Sequence, residues 1–270
     1  MFFFSKFFKK KPRKVVLGLS LGSGGAKGFA ELGVLKAFEE NGIEFDVVSG
    51  TSIGSIIGAF YANGYTSTDI GELLKRVDIG EIKNVFMLKM DMSGLFNVLD
   101  RSIGSLNIEE LKKPFMTVAT VMDTGEEQTF DKGRVADALC ASSCFVPFFK
   151  PYEIDGVKYV DGAYANSIPA DKVRLMGAEY VVSVDLSVRD AKPTLLSKLL
   201  PTYEGKIEEP WKVGYDNSDV VIHPDLREFT STSFSSGDIM FERGYASAIE
   251  VIPKIKKDIE NLKFTKSKKR

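Results

Sequence analysis

The sequence predicts an α/β fold in which a mostly parallel central sheet is covered by helices, and three observations carry that expectation. The first is a unit of short apolar run, glycine turn and helix: VVLGLSL from Val15, then GSGGAKG, then FAELGVLKAFEENG with apolar residues at helical spacing and a stop at Gly42. The second is its immediate repetition as FDVVSG, the sharp turn TSIG and the helix SIIGAFYANGY, ending at Gly64. Two such units in succession imply parallel strands, with any ligand site at their carboxyl ends, where both glycine turns fall. The third is size: 270 residues with 44% hydrophobic content suffice for one continuous core.

The remaining elements follow in order. Residues 66 to 114 carry helical patches without a strong strand, and Met87, Met90, Met92, Leu95 and Phe96 crowd around Gly94 as an expected apolar cap. PFMTVATVMDTGEEQTF reads as a strand pair turning at Asp123, Thr124 and Gly125, and YEIDGVKYVDG as another turning at Asp155 and Gly156. AEYVVSVDLS and DVVIHP supply two further strands. Residues 188 to 217, with Pro193, Pro201, Pro210 and Trp211, read as a variable loop. The closing helix, from about Gly237 to Leu262, is expected to break or bend near Pro253. No internal repeat or linker divides the chain, so residues 15–262 read as a single domain between a basic, Phe-rich segment (1–14) and a basic tail (263–270).

Composition narrows the function classes. A mean hydropathy of −0.05 and 27% charged residues exclude wholesale disorder and a polytopic membrane protein. The formal net charge of −1 conceals an asymmetry: 11 of the 36 Lys and Arg lie in the first 14 and last 8 residues, where no acid occurs, leaving a body of −12. An acidic body argues against nucleic acid as partner, and the basic ends point to an anionic surface. MFFFSKFFKKKPRK has its apolar cluster before its basic one, the reverse of a secretory signal, and is too short to span a bilayer. It suits shallow insertion beside anionic headgroups, or packing of its Phe residues on the domain. A cytoplasmic protein with peripheral contact at the inner membrane face is the expectation. Cys140 and Cys144, one helical turn apart, read as buried apolar side chains in a reducing compartment.

Gly50-Thr51-Ser52-Ile53-Gly54 fits G-x-S-x-G between a strand and a helix, the setting of a nucleophile elbow, where small residues leave room for a turn that lifts the serine hydroxyl above the sheet edge. The alternative is a plain strand-to-helix turn capped by Ser52. The Gly22–Gly28 turn points free N–H groups and a positive helix end outward, so it suits an anion. That anion is a nucleotide phosphate or the oxyanion of a serine attack; the spacing misses both common phosphate-loop patterns. A base for Ser52 is either His223, the sole histidine, or Asp161 in Val160-Asp161-Gly162-Ala163, which alone would be an ordinary Asp-Gly turn.

Taken together, GSGGAKG, GTSIG and the later DGA resemble the patatin-like phospholipase family, especially its short bacterial members. The resemblance runs from about Val15 to Pro169, and IHPDLREFTSTSF with the FERGYASAIE helix is similar too. It implies a three-layer α/β/α patatin-like fold. It also implies Ser52 as nucleophile, Asp161 as base of a Ser-Asp dyad, and Gly24, Gly25, Ala26 and Lys27 around an oxyanion hole, with Gly50 and Gly54 framing the elbow. The implied substrates are phospholipid or lysophospholipid acyl esters, with no cofactor and no metal. Two other readings stay open: an α/β-hydrolase-type esterase on small soluble esters using His223, and a lipid- or nucleotide-binding regulator. Headgroup, chain length and oligomeric state are not encoded in these motifs.

Overall fold

The computed structural model describes residues 13–76, 91–146, 148–188 and 209–265. Its strands are β1 (Leu17–Leu21), β2 (Val47–Thr51), β3 (Phe115–Val121), β4 (Glu127–Phe130), β5 (Tyr152–Ile154), β6 (Val157–Val160), β7 (Tyr180–Val184) and β8 (Val220–Ile222). They form one sheet in the order β5-β6-β3-β2-β1-β7-β8, with β4 also paired to β3. The five strands β3-β2-β1-β7-β8 run parallel, and the antiparallel pairs lie at the β3 edge. The fold is therefore mixed α/β with a mostly parallel sheet.

Helices cover both faces. Among the described residues these are α1 (Phe29–Glu40), α2 (Ile53–Ala62), α3 (Ser67–Arg76), α4 (Ser93–Ile103), α5 (Val135–Ser143), α6 (Ala170–Leu175), α7 (Lys212–Asn217) and α8 (Gly237–Phe264). Leu19 and Leu21 of β1, Val48 of β2 and Val184 of β7 pack with α1, α2 and α8 in the main core. Val47 and Val181 point the other way, onto Ala170 and Val173 of α6. Strands apolar on both sides are what a sheet buried between two helical layers requires. Both hairpin turns form as expected, with Asp155 and Gly156 at positive φ and Gly125 N–H closing onto Val121 C=O at 2.8 Å.

Three expectations change. The closing helix does not break at Pro253: α8 runs on to Phe264 with the proline inside it. Pro253 is exposed, as is Ile249, the residue whose carbonyl the proline ring cannot pair. The 188–217 stretch is not all loop, because Lys212–Asn217 is helical, with Trp211 edge-on to Tyr215 at 5.4 Å; residues 189–208 lie outside the described residues. The short helix α6 had no place in the sequence reading. Of the expected cap, Met87 and Met90 lie outside the described residues, Met92 is buried and Leu95 packs partly buried against the main core. No helix among the described residues is long and apolar enough to cross a membrane.

Candidate active site

The carboxyl ends of β1 and β2 carry the two glycine turns, as their sequence order requires. Ser52 leaves β2 at φ 55° and ψ −125°, a conformation that costs a non-glycine residue about 1–3 kcal/mol and persists only when the surroundings hold it. The framing glycines are there for space. A Cβ on Gly50 would lie 2.2 Å from the Gly54 carbonyl oxygen, and one on Gly54 would lie 2.5 Å from that of Leu21, so the elbow is wedged against the end of β1.

The hydroxyl of Ser52 donates to Asp161 Oδ2 at 2.6 Å. Asp161 follows β6, whose antiparallel pairing with β3 carries it back to the level of the elbow. Its Oδ1 accepts the Ala163 N–H at 2.9 Å, its own N–H donates to Cys144 C=O at 2.8 Å, and its C=O accepts the Thr120 hydroxyl at 2.9 Å. Asp161 is 3% exposed. Burial raises its pKa from 3.8 to about 6, against the opposing effect of the hydrogen bonds from Ser52 and Ala163. The side chain of Asp161 is thus aimed at Ser52, with a proton affinity closer to neutrality than that of an exposed carboxylate.

Both groups open on a cavity of about 260 Å³ with a predominantly apolar lining, to which Ser143, Ser231 and Thr232 add polar side chains. Ile53, Ile56, Leu74, Leu95 and Leu99 line it together with Phe145, Phe148, Phe149 and Phe234, and Ser23, Gly24, Gly25 and Ala26 border it. Of the amides expected to face an oxyanion, that of Ala26 already donates to Ser231 C=O at 2.8 Å and that of Lys27 to Gly24 C=O at 3.2 Å. Gly24 and Gly25 therefore retain the amides not engaged in this turn. Lys27 does not line the cavity; burial lowers its pKa while the charge of Asp185 opposes that.

His223 stands elsewhere, at the end of β8. Its Nδ1 lies 3.3 Å from the Tyr215 hydroxyl and 3.5 Å from Asp185, and it is not among the cavity's lining residues. Among the described residues no group of three or more His, Cys, Asp or Glu could hold a metal.

Two supports were not legible in the sequence. Glu31, fully buried in α1, accepts the Gly22 N–H at 2.8 Å and so holds the glycine turn, and burial raises its pKa well above the usual carboxylate range against the opposing effect of that hydrogen bond. An acid on the apolar face of FAELGVLKAF was the available signal. Ser142 on α5 accepts the Ser52 N–H at 2.9 Å, and Thr117 Oγ1, 3.1 Å from Ser142 Oγ, donates to Gly50 C=O at 2.8 Å. Together they clamp the strained elbow from beneath. Ser142→Ala would leave a buried N–H unpaired at about 1–3 kcal/mol. The expected outcome is a fall in kcat of roughly tenfold or more with KM nearly unchanged, measured by steady-state ester hydrolysis; an unchanged kcat in a variant with lowered Tm would make the clamp merely structural.

The sequence profile described as "Patatin-like phospholipase" matches residues 19–174, which takes in Ser52, Asp161 and both glycine turns. The chain belongs to the patatin-like phospholipase family. Among curated proteins, this patatin-like chain is 32% identical over 231 residues to human "Patatin-like phospholipase domain-containing protein 6", covering 80% of this chain and 16% of that protein. It is 26% identical over 280 residues to "Lysophospholipase NTE1" of Mycosarcoma maydis, covering 87% of this chain and 15% of that one. The chain thus spans about one-sixth of the length of these relatives. Among solved structures, VipD from Legionella pneumophila superposes with a TM-score of 0.58 at 14% identity, over 90% of this chain and 68% of that one. The type III effector ExoU gives 0.50 at 12% identity, over 90% and 54%. At such identities these two likenesses concern the fold.

Proposed function

We propose that residues 15–262 form one catalytic unit, a serine acyl hydrolase that cleaves acyl esters of phospholipids or lysophospholipids through a Ser52–Asp161 dyad. The observation that carries this reading is the 2.6 Å hydrogen bond from a strained, glycine-framed serine to a buried aspartate at the head of an apolar cavity. The relatives named phospholipase and lysophospholipase support the same chemistry.

In this mechanism the acyl chain occupies the apolar cavity and presents its carbonyl to Ser52 Oγ. Asp161 accepts the hydroxyl proton as the C–O bond forms. The tetrahedral oxyanion is held by the amides of Gly24 and Gly25, whose turn is fixed by Glu31 and Ser231. Collapse passes the proton from Asp161 to the departing alcohol oxygen and leaves an acyl-serine. Water, deprotonated by Asp161, then releases the fatty acid and restores Ser52. No metal or organic cofactor enters these steps. The His223 esterase is the weaker reading, because His223 engages Tyr215 and Asp185.

The test is hydrolysis of a lysophospholipid by the purified protein as a function of pH. Asp161 must be ionised to act as base, so kcat/KM is expected to rise with pH through about 6 and level off above it. Activity that rises as pH falls below 6, or no turnover of any acyl ester, contradicts the dyad. We further infer peripheral contact of the basic terminal segments with anionic membrane at the cytoplasmic face.

A further inference from the structure

The two ends of the described chain meet. Arg13 N–H donates to Lys263 C=O at 3.3 Å, its guanidinium reaches Thr265 C=O at 3.2 Å, and Glu179 clamps it at 2.7 Å. The described chain therefore begins and ends at one place, at the amino-terminal edge of the parallel strands. Ser52 and the glycine turn lie at the opposite, carboxyl-terminal edge. Helix α8 measures the separation: its first residues adjoin Phe234 at the cavity and its last adjoin Arg13, and 28 residues rise about 42 Å.

Beside this meeting point runs a groove lined by Lys14, Lys112, Lys113, Lys256 and Lys263, against only Glu44, Asp46 and Glu260. The three acids are taken up by Lys113, Lys14 and Lys263 at 2.6, 2.6 and 3.0 Å. Lys112 and Lys256 have no acidic partner among the described residues; Lys256 donates to Asn41 at 3.2 Å. Phe264, 48% exposed, stands at the same edge. Residues 1–12 and 266–270, which continue from these two ends, add eight Lys and Arg, no acid and five Phe. The unpaired lysines of the groove thus lie beside the points from which two basic segments continue, one of them with a Phe-rich composition suited to shallow insertion.

We propose that this edge is a docking face for an anionic lipid bilayer, and that docking turns the mouth of the catalytic cavity away from the surface. The inference rests on the proposed membrane contact of the terminal segments and adds the face and the orientation. Its chemistry is that of clustered lysines meeting phosphate headgroups, which fades with salt as screening shortens to about 10 Å near 0.1 M.

The test is co-sedimentation of the full chain with vesicles of phosphatidylcholine alone or mixed in equal parts with phosphatidylglycerol. Binding is expected to the mixed vesicles only. The double variant Lys112→Glu/Lys256→Glu is expected to weaken it at least about tenfold, whereas Lys158→Glu/Lys212→Glu, with the same charge change outside the groove, is expected to have a much smaller effect. Equal weakening by the two pairs would leave net charge alone as the cause and overturn the assigned face. Loss of binding on deleting residues 1–12, without loss in the groove pair, would uphold the membrane contact and still overturn the face. Failure to bind mixed vesicles, with a dimer in sedimentation velocity that Lys112→Glu/Lys256→Glu dissociates, would give the face to a second copy. Saturating vesicles are expected to leave turnover of a soluble short-chain ester unchanged; inhibition in proportion to binding would overturn the orientation. If no ester is turned over at all, the hydrolase reading fails while sedimentation still decides the face.

Discussion

Ser52→Ala is expected to lower kcat for acyl-ester hydrolysis by at least about 10³-fold, the scale of losing a covalent nucleophile. The substitution removes one hydroxyl whose hydrogen bond is to Asp161, and it leaves the backbone supports of the elbow, Ser142 and the Gly54 approach to β1, in place. The fold is therefore expected to survive. Loss of activity with an unaltered circular dichroism spectrum would assign the chemistry to the hydroxyl; retained turnover by the purified variant would remove Ser52 from the mechanism.

The second large effect is that of Asp161→Asn, expected to inactivate nearly as fully while raising stability at neutral pH. Asparagine keeps the shape: its Oδ1 can still accept the Ala163 N–H, and its amide can donate to Ser52 Oγ. It cannot accept a proton. The stability sign follows from linkage. The folded-state pKa of Asp161, about 6, lies above the ordinary 3.8, so the native state binds the proton more tightly and the contribution of this group to stability falls as pH rises from about 4 to about 6. Above that window the wild type bears the full cost of a buried charge, up to about 3 kcal/mol for two pKa units, and the asparagine variant does not. Urea unfolding at pH 8 and pH 4 should show the gain at the higher pH only. His223→Ala, in contrast, should retain most of the activity, since it touches Tyr215 and Asp185 and not Ser52. A dead His223→Ala beside an active Asp161→Asn would reverse the assignment of the base.

Much of this site was legible in the chain because its parts are local. The elbow is read from Gly50, Ser52 and Gly54, and the glycine turn from its place after a strand, since both depend on backbone geometry that few residues permit. Asp161 was legible only through its company, as a lone Asp-Gly is a common turn. What stayed hidden depends on contacts distant in sequence. Ser142, 90 residues from Ser52, looks like any small helical residue until the α5–β3 packing brings its hydroxyl beneath the elbow. The occupancy of the Ala26 amide by Ser231, far along the chain, was equally invisible. Of the break or bend expected at Pro253, the break does not occur: the proline sits on an exposed position of a helix that continues past it, and the tertiary fold decides that placement.

The central claim is that Ser52 is activated by Asp161. Labelling the purified protein with a fluorophosphonate and locating the adduct by peptide mass spectrometry tests it most directly. The account predicts a single stoichiometric adduct on Ser52, formed in wild type and His223→Ala and strongly slowed in Asp161→Asn. An adduct elsewhere, or Ser52 labelling as fast in Asp161→Asn as in wild type, would contradict it.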